Sequence, residues 1–424
     1  MLGTILSLIV IPIMIIVYVW VSYNAPVLAF GVYHSRRKRK AEESSSKAFK
    51  PNEIPSFSII VPVKDEEAVI GRLLDATLKI NYPRDKLEVI IVEDGSSDRT
   101  IDICRKYAEK HPGFIKFFHR EPSSRGKPSA LNYGLKMAKG EILAFFDADN
   151  VPSPDILQKV AKYFTDPRVA AVQGRTMTIN ADENMLTKFI SYEEAVWCEA
   201  YLRGKDVLDL FVHLRGSCQF IRRSVLEKLG GFSEDALSED MELSIRLTRE
   251  NYCIKYAPDV YAWQESPSSL KQLFRQRVRW FRGTIEVALK YGKLATRLNR
   301  KTLDAEATLF GPFILIFSLL MYFSAIFIFF APPIFQPAWL ILTQVSVALT
   351  TVLMLICGLA LVFISKPLRT RNLLWLPFIY FYWSLQGIIA LYAVLLTVLR
   401  RPKKWLKTKK KGIVKNFNLC LSVQ

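Results

Sequence analysis

Long uncharged apolar stretches at both ends of this chain constrain its fold more than any other feature. The 424-residue sequence has no charged residue from Met1 to Ser35, from Ala307 to Ser365 or from Leu373 to Leu399. A helix of about 20 apolar residues crosses the hydrocarbon core of a bilayer. We therefore expect a transmembrane anchor over residues 1–35 and transmembrane segments over residues 305–399.

The three stretches differ in how many spans they predict. The first lacks the basic start, the short apolar run and the small-residue cleavage site of a secretory signal peptide, so we expect an uncleaved anchor. In the second, the prolines of "APPIFQP", Ala331 to Pro337, predict a turn between two helices. The last, Leu373 to Leu399, is long enough for a third C-terminal span.

Basic residues cluster beside these stretches. The formal net charge is +19, and its densest runs are "RRKRK" at Arg36 to Lys40 and "RRPKKWLKTKKK" at Arg400 to Lys411. Such runs beside a span are topology signals and contacts to acidic lipid, so the charge does not predict a nucleic-acid partner. We expect a multi-pass protein of the cell membrane, with a cytoplasmic soluble domain and a basic tail over residues 400–424.

The side of the membrane on which the tail lies stays open at this point. Its charge favours the cytoplasm, yet three simple C-terminal spans would carry it to the outside. A last segment that forms a hairpin or lies in the interface, at Pro377 and Gly387, would remove the conflict.

Between the apolar stretches, the chain has the pattern of an α/β domain. Short runs rich in β-branched residues alternate with segments of helical periodicity, which is typical of a mostly parallel sheet. The predicted strands are Ser56 to Val63, Leu87 to Gly95, Phe114 to Arg120 and Glu141 to Asp149. The predicted helices between them are Glu66 to Ile80, Asp98 to His111 and Lys127 to Gly140, the last with a glycine cap.

Two common nucleotide-binding loops and a metal-binding cysteine pattern are absent. The first strand is not followed by GxGxxG, and "RGKPS" lacks the earlier glycine of a P-loop and has Pro128 where Ser or Thr is needed. The cysteines show no CxxC spacing and predict neither a zinc site nor a disulfide framework. We expect small core hydrophobes at Cys104, Cys198, Cys218, Cys253, Cys357 and Cys420.

Four aspartates stand where predicted strands end. They are Asp65, Asp94, Asp147 and Asp149. Ligands of such sheets bind at the carboxyl ends of the strands. The two carboxylates in "FFDADN" repel each other unless a cation or dipole stabilises them. A hard divalent ion such as Mg²⁺ or Mn²⁺ fits this requirement. For Asp94 alone, an ordinary turn with Ser97 or Asp98 capping the next helix is the competing interpretation.

Two later motifs carry further polar residues. "SEDMELSIRLTREN" predicts a helix with Ser238 as N-cap and Asp240 in its first turn, an arrangement that the helix dipole alone would favour. "SLKQLFRQRVRWFRGT" predicts a basic amphipathic helix with Trp280 beside Arg279, which by itself fits a helix at the membrane surface. Neither motif alone separates a structural role from a functional one.

The order and spacing of the motifs are more specific than any one of them. "VPVKDEEAVI", "VEDGSSDRT", "RGKPSALN", "FFDADN", "SED" and "QRVRW" resemble the membrane-integrated family 2 glycosyltransferases, in particular the processive synthases of cellulose, chitin, hyaluronan and poly-N-acetylglucosamine. The resemblance implies a GT-A type α/β domain, a Rossmann-like mostly parallel sheet inserted between transmembrane helices. We expect this domain at residues 50–265 and interface helices with the Q-x-x-R-W motif at residues 266–300.

The resemblance implies a binding site for a nucleotide sugar, with a UDP-sugar as the expected donor. Asp94 matches the aspartate that holds the nucleotide base. Asp65 and Glu66 stand in the place of the usual Asn-Glu pair near the same subsite. Lys127 matches a lysine near the nucleotide.

The resemblance also implies a metal site and a general base. Asp147 and Asp149 match the DxD motif, with Asp149 as the expected ligand of Mg²⁺ or Mn²⁺ on the donor diphosphate and Asp147 in support. Asp240 matches the last residue of the Thr-Glu-Asp motif, which is Ser-Glu-Asp here, and would take the proton of the acceptor hydroxyl.

The acceptor side of the expected site comes from the last motif. Gln276, Arg279 and Trp280 match Q-x-x-R-W. Arg279 would stabilise charge on the leaving diphosphate, and Trp280 would offer an apolar face to an acceptor sugar. One base without a covalent intermediate predicts inversion at the anomeric carbon.

Three functions fit this sequence. The first is a processive synthase that adds sugars to a growing polysaccharide at the cytoplasmic face. The second is the transfer of one sugar to a lipid carrier or glycolipid, which uses the same catalytic residues and needs no channel. The third is an inactive membrane scaffold or transport protein. The size of the product made from a labelled nucleotide sugar separates the first two.

Overall fold

The computed structural model describes most of the chain outside the middle of the C-terminal apolar block. The described residues are 2–38, 54–121, 126–293, 299–330, 376–402 and 408–412, with single residues between 341 and 374. The predicted proline turn at Ala331 to Pro337 and most of the span predicted before Ser365 lie outside the described residues.

One eight-stranded sheet forms the centre of the soluble domain. Its strands are β1 (Phe57–Val63), β2 (Leu87–Asp94), β3 (Ile115–Arg120), β4 (Ile142–Phe145), β5 (Val151–Pro152), β6 (Val169–Thr178), β7 (Gln219–Arg222) and β8 (Cys253–Gln264). The strand order is β3-β2-β1-β4-β7-β6-β8-β5. Strands β1 to β4 are parallel, β7 is antiparallel to both neighbours, and β5 is antiparallel to β8. The predicted α/β class is confirmed, with a mixed sheet.

Helices surround the sheet and continue into the flanking apolar segments. They are α1 (Leu2–Lys38), α2 (Ile70–Leu78), α3 (Thr100–Lys110), α4 (Gly126–Met137), α5 (Ile156–Ala161), α6 (Met185–Val196), α7 (Arg203–Val207), α8 (Arg223–Lys228), α9 (Glu239–Arg249), α10 (Leu270–Tyr291), α11 (Arg300–Leu309), α12 (Gly311–Phe330) and α13 (Leu376–Val398). A π-helical turn, Trp197–Leu202, joins α6 to α7.

The hydrophobic core lies on both faces of the parallel strands. Every residue of β2 is buried, and in β1 all but Pro62 are buried. Ile59 of β1 packs on one face with Leu73 of α2, whereas Ile60 packs on the other with Leu131 of α4. Strands that are buried on both faces have nearly continuous apolar sequences, which is why these strands are predictable from the sequence.

The first helix of the domain starts later than its periodicity predicts. α2 begins at Ile70, whereas the pattern predicts a start at Glu66. The backbone N–H of Asp65 bonds to the Ser96 hydroxyl at 2.8 Å, and that of Glu66 bonds to the Thr100 hydroxyl at 2.7 Å. These contacts across the strand ends hold the segment before Ile70 out of the helix.

The glycine cap predicted for α4 has a different role in the structure. The helix ends at Met137, before Gly140. A Cβ atom on Gly140 would lie 2.5 Å from the backbone of β1. Gly140 is therefore required for the close approach of two chain segments, and it does not cap the helix.

Two helices are long and apolar enough to cross a membrane. They are Ile11–Ser35 within α1 and Phe381–Val398 within α13. A third candidate arises if Arg300–Leu309 and Gly311–Phe327, which meet at 52°, count as one bent span. This count applies to the described part of the chain.

The N-terminal helix packs directly on the soluble domain. A Cβ atom on Gly31 would lie 1.8 Å from the carbonyl oxygen of Ala200, and one on Gly204 would lie 2.0 Å from that of Val27. The Tyr23 hydroxyl donates to Asp304 of α11 at 3.0 Å. Tyr23 of α1 therefore lies beside α11, at the edge of the soluble domain.

The chain returns to the soluble domain after α13. Arg282 of α10 donates to the carbonyl of Pro402 at 3.1 Å, and the ammonium of Lys410 bonds to Asp149 at 2.7 Å. Residues 408–412 therefore lie against the soluble domain. α13 continues through Gly387, so the hairpin considered for this segment is not formed.

Three of the four cysteines within the described residues are buried, as predicted. Cys104, Cys198 and Cys218 are buried, Cys253 is half-buried, and all four are free thiols. Cys357 and Cys420 lie outside the described residues.

Candidate active site

One large cavity opens along the carboxyl ends of the parallel strands. Its volume is about 1120 Å³, and its lining includes residues at the ends of β1, β2 and β4. It brings together every predicted site residue: Asp65, Glu66, Asp94, Lys127, Asp147, Asp149, Asp240, Gln276, Arg279 and Trp280. Convergence of polar groups from distant segments on one cavity is what a substrate site requires.

The end of the cavity nearest β1 and β2 carries three of the acids. Asp65 has a left-handed backbone with φ of +52°, and its Oδ1 accepts the N–H of Ser97 at 2.7 Å. Asp94 is buried and pairs with the guanidinium of Arg120 at 2.9 Å. The cap of the competing interpretation does not form, because Arg99 stands at the N-cap position of α3 and makes no capping bond, although Asp98 accepts the N–H of Thr100 at 3.0 Å.

The two aspartates of "FFDADN" hold different partners. Asp147 is partly exposed, and its carboxylate lies 2.7 Å from the ammonium of Lys127. Asp149 is buried, and its Oδ2 accepts bonds from Lys410 at 2.7 Å and from the N–H of Glu265 at 3.0 Å. Burial alone would raise the pKa of Asp149, but the Lys410 ammonium and the Glu265 N–H hold it below its usual range.

The chemistry of this pair fits a divalent metal that arrives with a phosphate ligand. No group of three or more His, Cys, Asp or Glu side chains suited to a metal occurs among the described residues. Mg²⁺ and Mn²⁺ commonly use one or two carboxylates and complete their shell with substrate phosphates and water. Asp147 and Asp149 supply two carboxylates, and each already attracts an ammonium group.

Lys127 connects the two acidic motifs of the site. Besides Asp147, its ammonium contacts the carbonyl of Gly216 at 2.9 Å and the carboxylate of Glu239 at 3.4 Å. Burial disfavours the charged amine, but the surrounding carboxylates outweigh it and raise the pKa of Lys127 above its usual range. The lysine that the sequence assigns to the nucleotide therefore bonds, in this structure, to the acids around the expected base.

Asp240 lies in the first turn of α9 and faces the cavity. Ser238 is at the N-cap position as predicted, but its side chain makes no capping bond. Burial and the adjacent Glu239 raise the pKa of Asp240 to about 7, although Lys127 and Arg279 oppose the shift. A carboxylate with a pKa near neutral is suited to taking a proton from a hydroxyl group.

Two glycines hold the space around this helix end. Gly216 has φ of +77°, and a Cβ atom on it would lie 3.1 Å from Oδ2 of Asp240. A Cβ atom on Gly283 of α10 would lie 2.1 Å from the Ser238 hydroxyl. α10 therefore crosses directly over the start of α9, which brings the Q-x-x-R-W motif next to Asp240.

The Q-x-x-R-W side chains project from the middle of α10 into the cavity. All three are half-buried. The guanidinium of Arg277 lies 4.3 Å from the centre of the Trp280 ring and pairs with Glu193 at 2.6 Å. The Nε of Arg279 is buried and has no hydrogen-bond partner among the described residues. Arg279 is thus placed to meet an anion that enters the cavity.

The cavity continues between the apolar helices. This part, which we call the membrane arm, is lined by α1 between Val17 and Leu28, by α12 between Gly311 and Tyr322, and by α13 between Trp383 and Gly387. No motif in the sequence predicts it. The only signals are polar residues such as Asn24 and Gln386 inside otherwise apolar stretches.

The C-terminal tail closes another side of the cavity. Lys410 also donates to the carbonyl of Glu265, and the backbone N–H groups of Lys411 and Gly412 donate to the Glu265 carboxylate at 2.6 and 3.1 Å. Sequence reasoning assigns this basic run to lipid and misses its contact with Asp149, because no local pattern relates residues so far apart in the chain.

Comparisons with known proteins agree with this architecture. Residues 55–283 match the family described as "Glycosyltransferase like family 2". The chain is 36% identical over 286 residues to a probable glycosyltransferase, YdaM, of Bacillus subtilis, covering 66% of this chain and 64% of that protein. It is 28% identical over 398 residues to a beta-monoglucosyldiacylglycerol synthase of Trichormus variabilis, covering 91% and 81%. It is 30% identical over 239 residues to a poly-beta-1,6-N-acetyl-D-glucosamine synthase of Staphylococcus epidermidis, covering 56% and 57%.

A solved structure shares the fold. The mannosyltransferase PcManGT from Pyrobaculum calidifontis, determined with GDP-Man and Mn²⁺, aligns with a TM-score of 0.58 at 22% identity, covering 92% of this chain and 100% of that one. The likeness shows the fold alone, and it confirms the GT-A class. The match spans less than two thirds of the length of the Bacillus and Staphylococcus relatives.

Proposed function

We propose that this chain, which belongs to glycosyltransferase family 2, transfers a sugar from a nucleotide-sugar donor to the hydroxyl group of a membrane lipid. The observation that carries this proposal is the single cavity that joins the acids at the strand ends to the membrane arm. A donor that enters from the water phase and an acceptor that stays in the bilayer can meet in such a cavity.

The donor side of the proposal rests on charge. Asp65, Glu66 and Asp94 line the end of the cavity that would take the nucleotide of the donor. The expected nucleotide is UDP. Breaking the bond to the sugar develops negative charge on the leaving diphosphate. The Nε of Arg279, which has no partner within the described part of the chain, would stabilise this charge. Asp149 and Asp147 would hold a Mg²⁺ or Mn²⁺ ion, which when bound supplies positive charge at the diphosphate.

The reaction at the acceptor rests on Asp240. Its pKa of about 7 leaves a substantial fraction ionised at neutral pH, ready to take the proton of an acceptor hydroxyl. When the acceptor hydroxyl attacks the anomeric carbon directly, with one base to take its proton, the configuration at that carbon is inverted. General-base catalysis of this kind is worth roughly 10²–10⁴-fold in rate.

The depth of the membrane arm favours a lipid over a long polymer. From Gly311 to Tyr322 the arm follows about 16 Å of α12 at the usual rise per residue. This is about half of a hydrocarbon core of roughly 30 Å, so the described lining reaches through one leaflet. An acyl chain occupies one leaflet, whereas a polysaccharide leaving the cell must cross both.

The extent of the sequence matches points in the same direction. The match to the relative named for monoglucosyldiacylglycerol covers 91% of this chain and so includes apolar segments at its ends. The match to the relative named for poly-N-acetylglucosamine covers 56%. We propose processive synthesis as the second candidate, because the Q-x-x-R-W residues that mark the processive enzymes all line the cavity.

We further propose that the catalytic domain, residues 50–265 with the interface helices at 266–300, lies in the cytoplasm. Arg36 is at the end of α1 nearest the soluble domain, and Lys410 and Lys411 contact that domain. Basic residues on this side of the spans favour the cytoplasmic face, where nucleotide sugars are available.

Product analysis tests the proposal. The purified protein in lipid nanodiscs is given radiolabelled UDP- and GDP-sugars with Mn²⁺ or Mg²⁺, and the products are separated by solvent extraction and by size. We expect a lipid that carries one added sugar, and no such product from Asp240→Asn. A water-soluble product of many sugars would reject the lipid acceptor in favour of the second candidate.

A further inference from the structure

Arg277 is a buried charge where the catalytic domain meets the membrane arm. It occupies the first x position of the Q-x-x-R-W motif. Arg277 is 7% exposed and lines the cavity, whereas Arg275 of the same helix is exposed and lies outside this lining. A guanidinium is costly to remove from water, so a charged side chain at this position needs a physical reason.

The guanidinium of Arg277 covers one face of the Trp280 ring. Its central carbon lies 4.3 Å from the centre of the ring, within the range of a cation–π contact. The two residues are three positions apart in α10, and a long helical side chain leans towards the N-terminus, over the preceding turn. Trp280 also lines the cavity, so the rest of its ring is the surface that a substrate meets. The position of Arg277 therefore sets the orientation of that surface.

The carboxylate of Glu193 in α6 holds this guanidinium in place. Its Oε2 accepts bonds from Arg277 at 2.6 Å and from the Tyr382 hydroxyl of α13 at 2.7 Å. Burial disfavours the charged guanidinium, but the Glu193 carboxylate outweighs it and raises the pKa of Arg277 above its usual range. Apolar side chains of the same three helices, among them Phe189 and Leu273, form one buried cluster with Tyr382. Three helices from distant parts of the chain thus fix one guanidinium.

Two roles fit these contacts. In a purely structural role, the ion pair of Arg277 and Glu193 joins α6 to α10, and the contact with Trp280 is incidental. A buried ion pair is weak evidence for such a role, because well-packed apolar residues often replace it without loss of stability. In a positioning role, the planar guanidinium is needed to stack on the indole, which a lysine ammonium does not reproduce. The second role explains both the charge and the shape of the side chain.

We propose that Arg277 is a positioning residue for the reaction. It holds the indole of Trp280 in the orientation that receives the acceptor, so that the acceptor hydroxyl and not water meets Asp240. Because the ring is fixed before the acceptor binds, less ordering is needed on binding. The inference rests on the transfer reaction proposed above, but not on whether the acceptor is a lipid or a polymer.

A double-mutant cycle of Arg277 and Trp280 tests the inference. Arg277→Lys keeps a positive charge beside Glu193 and loses the planar group that stacks. The full-length protein in nanodiscs is given the radiolabelled UDP- or GDP-sugar that it turns over, and transfer and hydrolysis are measured together. We expect Arg277→Lys to lower the ratio of transfer to hydrolysis about 3- to 30-fold. In a Trp280→Ala background, the same change should lower the ratio less than about twofold further.

The matched control makes the same substitution outside the cavity. Arg275→Lys changes an exposed residue of α10 and should leave the ratio of transfer to hydrolysis unchanged. Binding of radiolabelled UDP should be equal in all variants, which separates a misplaced indole from a folding defect.

Fluorine NMR observes the indole without the need for turnover. The protein has eight tryptophans, which are replaced by 5-fluorotryptophan, and the signal of Trp280 is the one that Trp280→Phe removes. Arg277→Lys should shift or broaden this signal, because the cation leaves the face of the ring. Arg275→Lys should leave the signal unchanged.

Three results would overturn the inference. Equal losses from Arg277→Lys with and without the Trp280 indole would show that the ion pair is structural, because independent effects add. The second is an unchanged Trp280 signal in Arg277→Lys, and the third is a Trp280→Ala variant with the wild-type ratio. A polymeric product would instead reject the proposed lipid acceptor and leave this inference standing.

Discussion

Replacing Asp240 by Asn should abolish transfer and, at the same time, stabilise the protein at alkaline pH. The carboxylate is the expected base, and an amide takes no proton. The amide oxygen can still accept the N–H of Met241, which bonds to Oδ1 of Asp240 at 2.8 Å. The substitution therefore removes the ionisable group with little change in shape.

The pKa of Asp240 sets the size and the sign of the stability effect. Its value of about 7 lies above the ordinary 3.8, a difference of about 3 units. Between pH 4 and 7 the folded protein keeps this proton while the unfolded chain loses it, so wild-type stability falls as the pH rises and the loss is complete above pH 7. At about 1.4 kcal/mol per unit the loss is at most about 4 kcal/mol, and water reaching the half-buried group reduces it to about 2 kcal/mol.

Thermal unfolding in detergent at two pH values measures this effect. At pH 8 we expect the Asn variant to melt about 2–4 °C above the wild type, and near pH 4 the two should converge. Asp235→Asn removes the same charge from an exposed position in the preceding loop and should leave the melting temperature unchanged at both pH values. In the wild type, kcat/KM should rise with pH to a plateau above about pH 7.

Two results would refute this reasoning. An Asn variant that is no more stable than the wild type at pH 8 would show that Asp240 is not held in an unfavourable ionised state. Transfer that persists in this variant, in protein that is folded, would show that another group takes the proton.

Three further perturbations test the metal site and the space around the base. Asp149→Ala should weaken the apparent binding of Mg²⁺ or Mn²⁺ at least about tenfold, as measured by a metal titration of the transfer assay. Full activity of the wild type in chelator would contradict a metal role. Lys410→Ala should lower the metal concentration needed for half-maximal activity, because its ammonium no longer occupies Oδ2 of Asp149. Gly216→Ala should lower kcat about tenfold or more, since a methyl group 3.1 Å from Asp240 displaces the carboxylate.

Matched controls exist for two of these variants. Lys409→Ala removes a neighbouring exposed charge and should leave the metal requirement unchanged. Gly230→Ala introduces the same backbone strain, at φ of +79°, with no atom within 4 Å of the new methyl group. If it lowers kcat as much as Gly216→Ala, strain in the fold explains both effects and the contact with Asp240 does not.

The strands of the domain and the family were predictable because their signals are local. The predicted strand at Ser56 to Val63 is observed as Phe57–Val63, and the one at Phe114 to Arg120 as Ile115–Arg120. The resemblance to family 2 glycosyltransferases, drawn from six short motifs, is confirmed by the match over residues 55–283. The start of α2 was not predictable, because side chains after β2 bind the residues that precede it and no local pattern encodes that contact.

The candidate site was predictable as a set of residues but not as a set of contacts. The ten predicted residues line one cavity, yet their roles remain predictions. Lys127 was assigned to the nucleotide and bonds to Asp147 and Glu239. Ser238 was assigned a capping bond, and it packs against Gly283 of α10 without making one.

The sequence alone determined the class of the fold, the family and the presence of apolar segments at both ends, since each depends on periodicity, composition or short motifs along the chain. Only the tertiary structure decided that the basic tail reaches Asp149 and that the cavity continues between α1, α12 and α13. It alone also set the pKa of Asp240, through burial and the nearby charges. These features depend on distances between residues far apart in the chain, and hydrophobic patterning does not encode such distances.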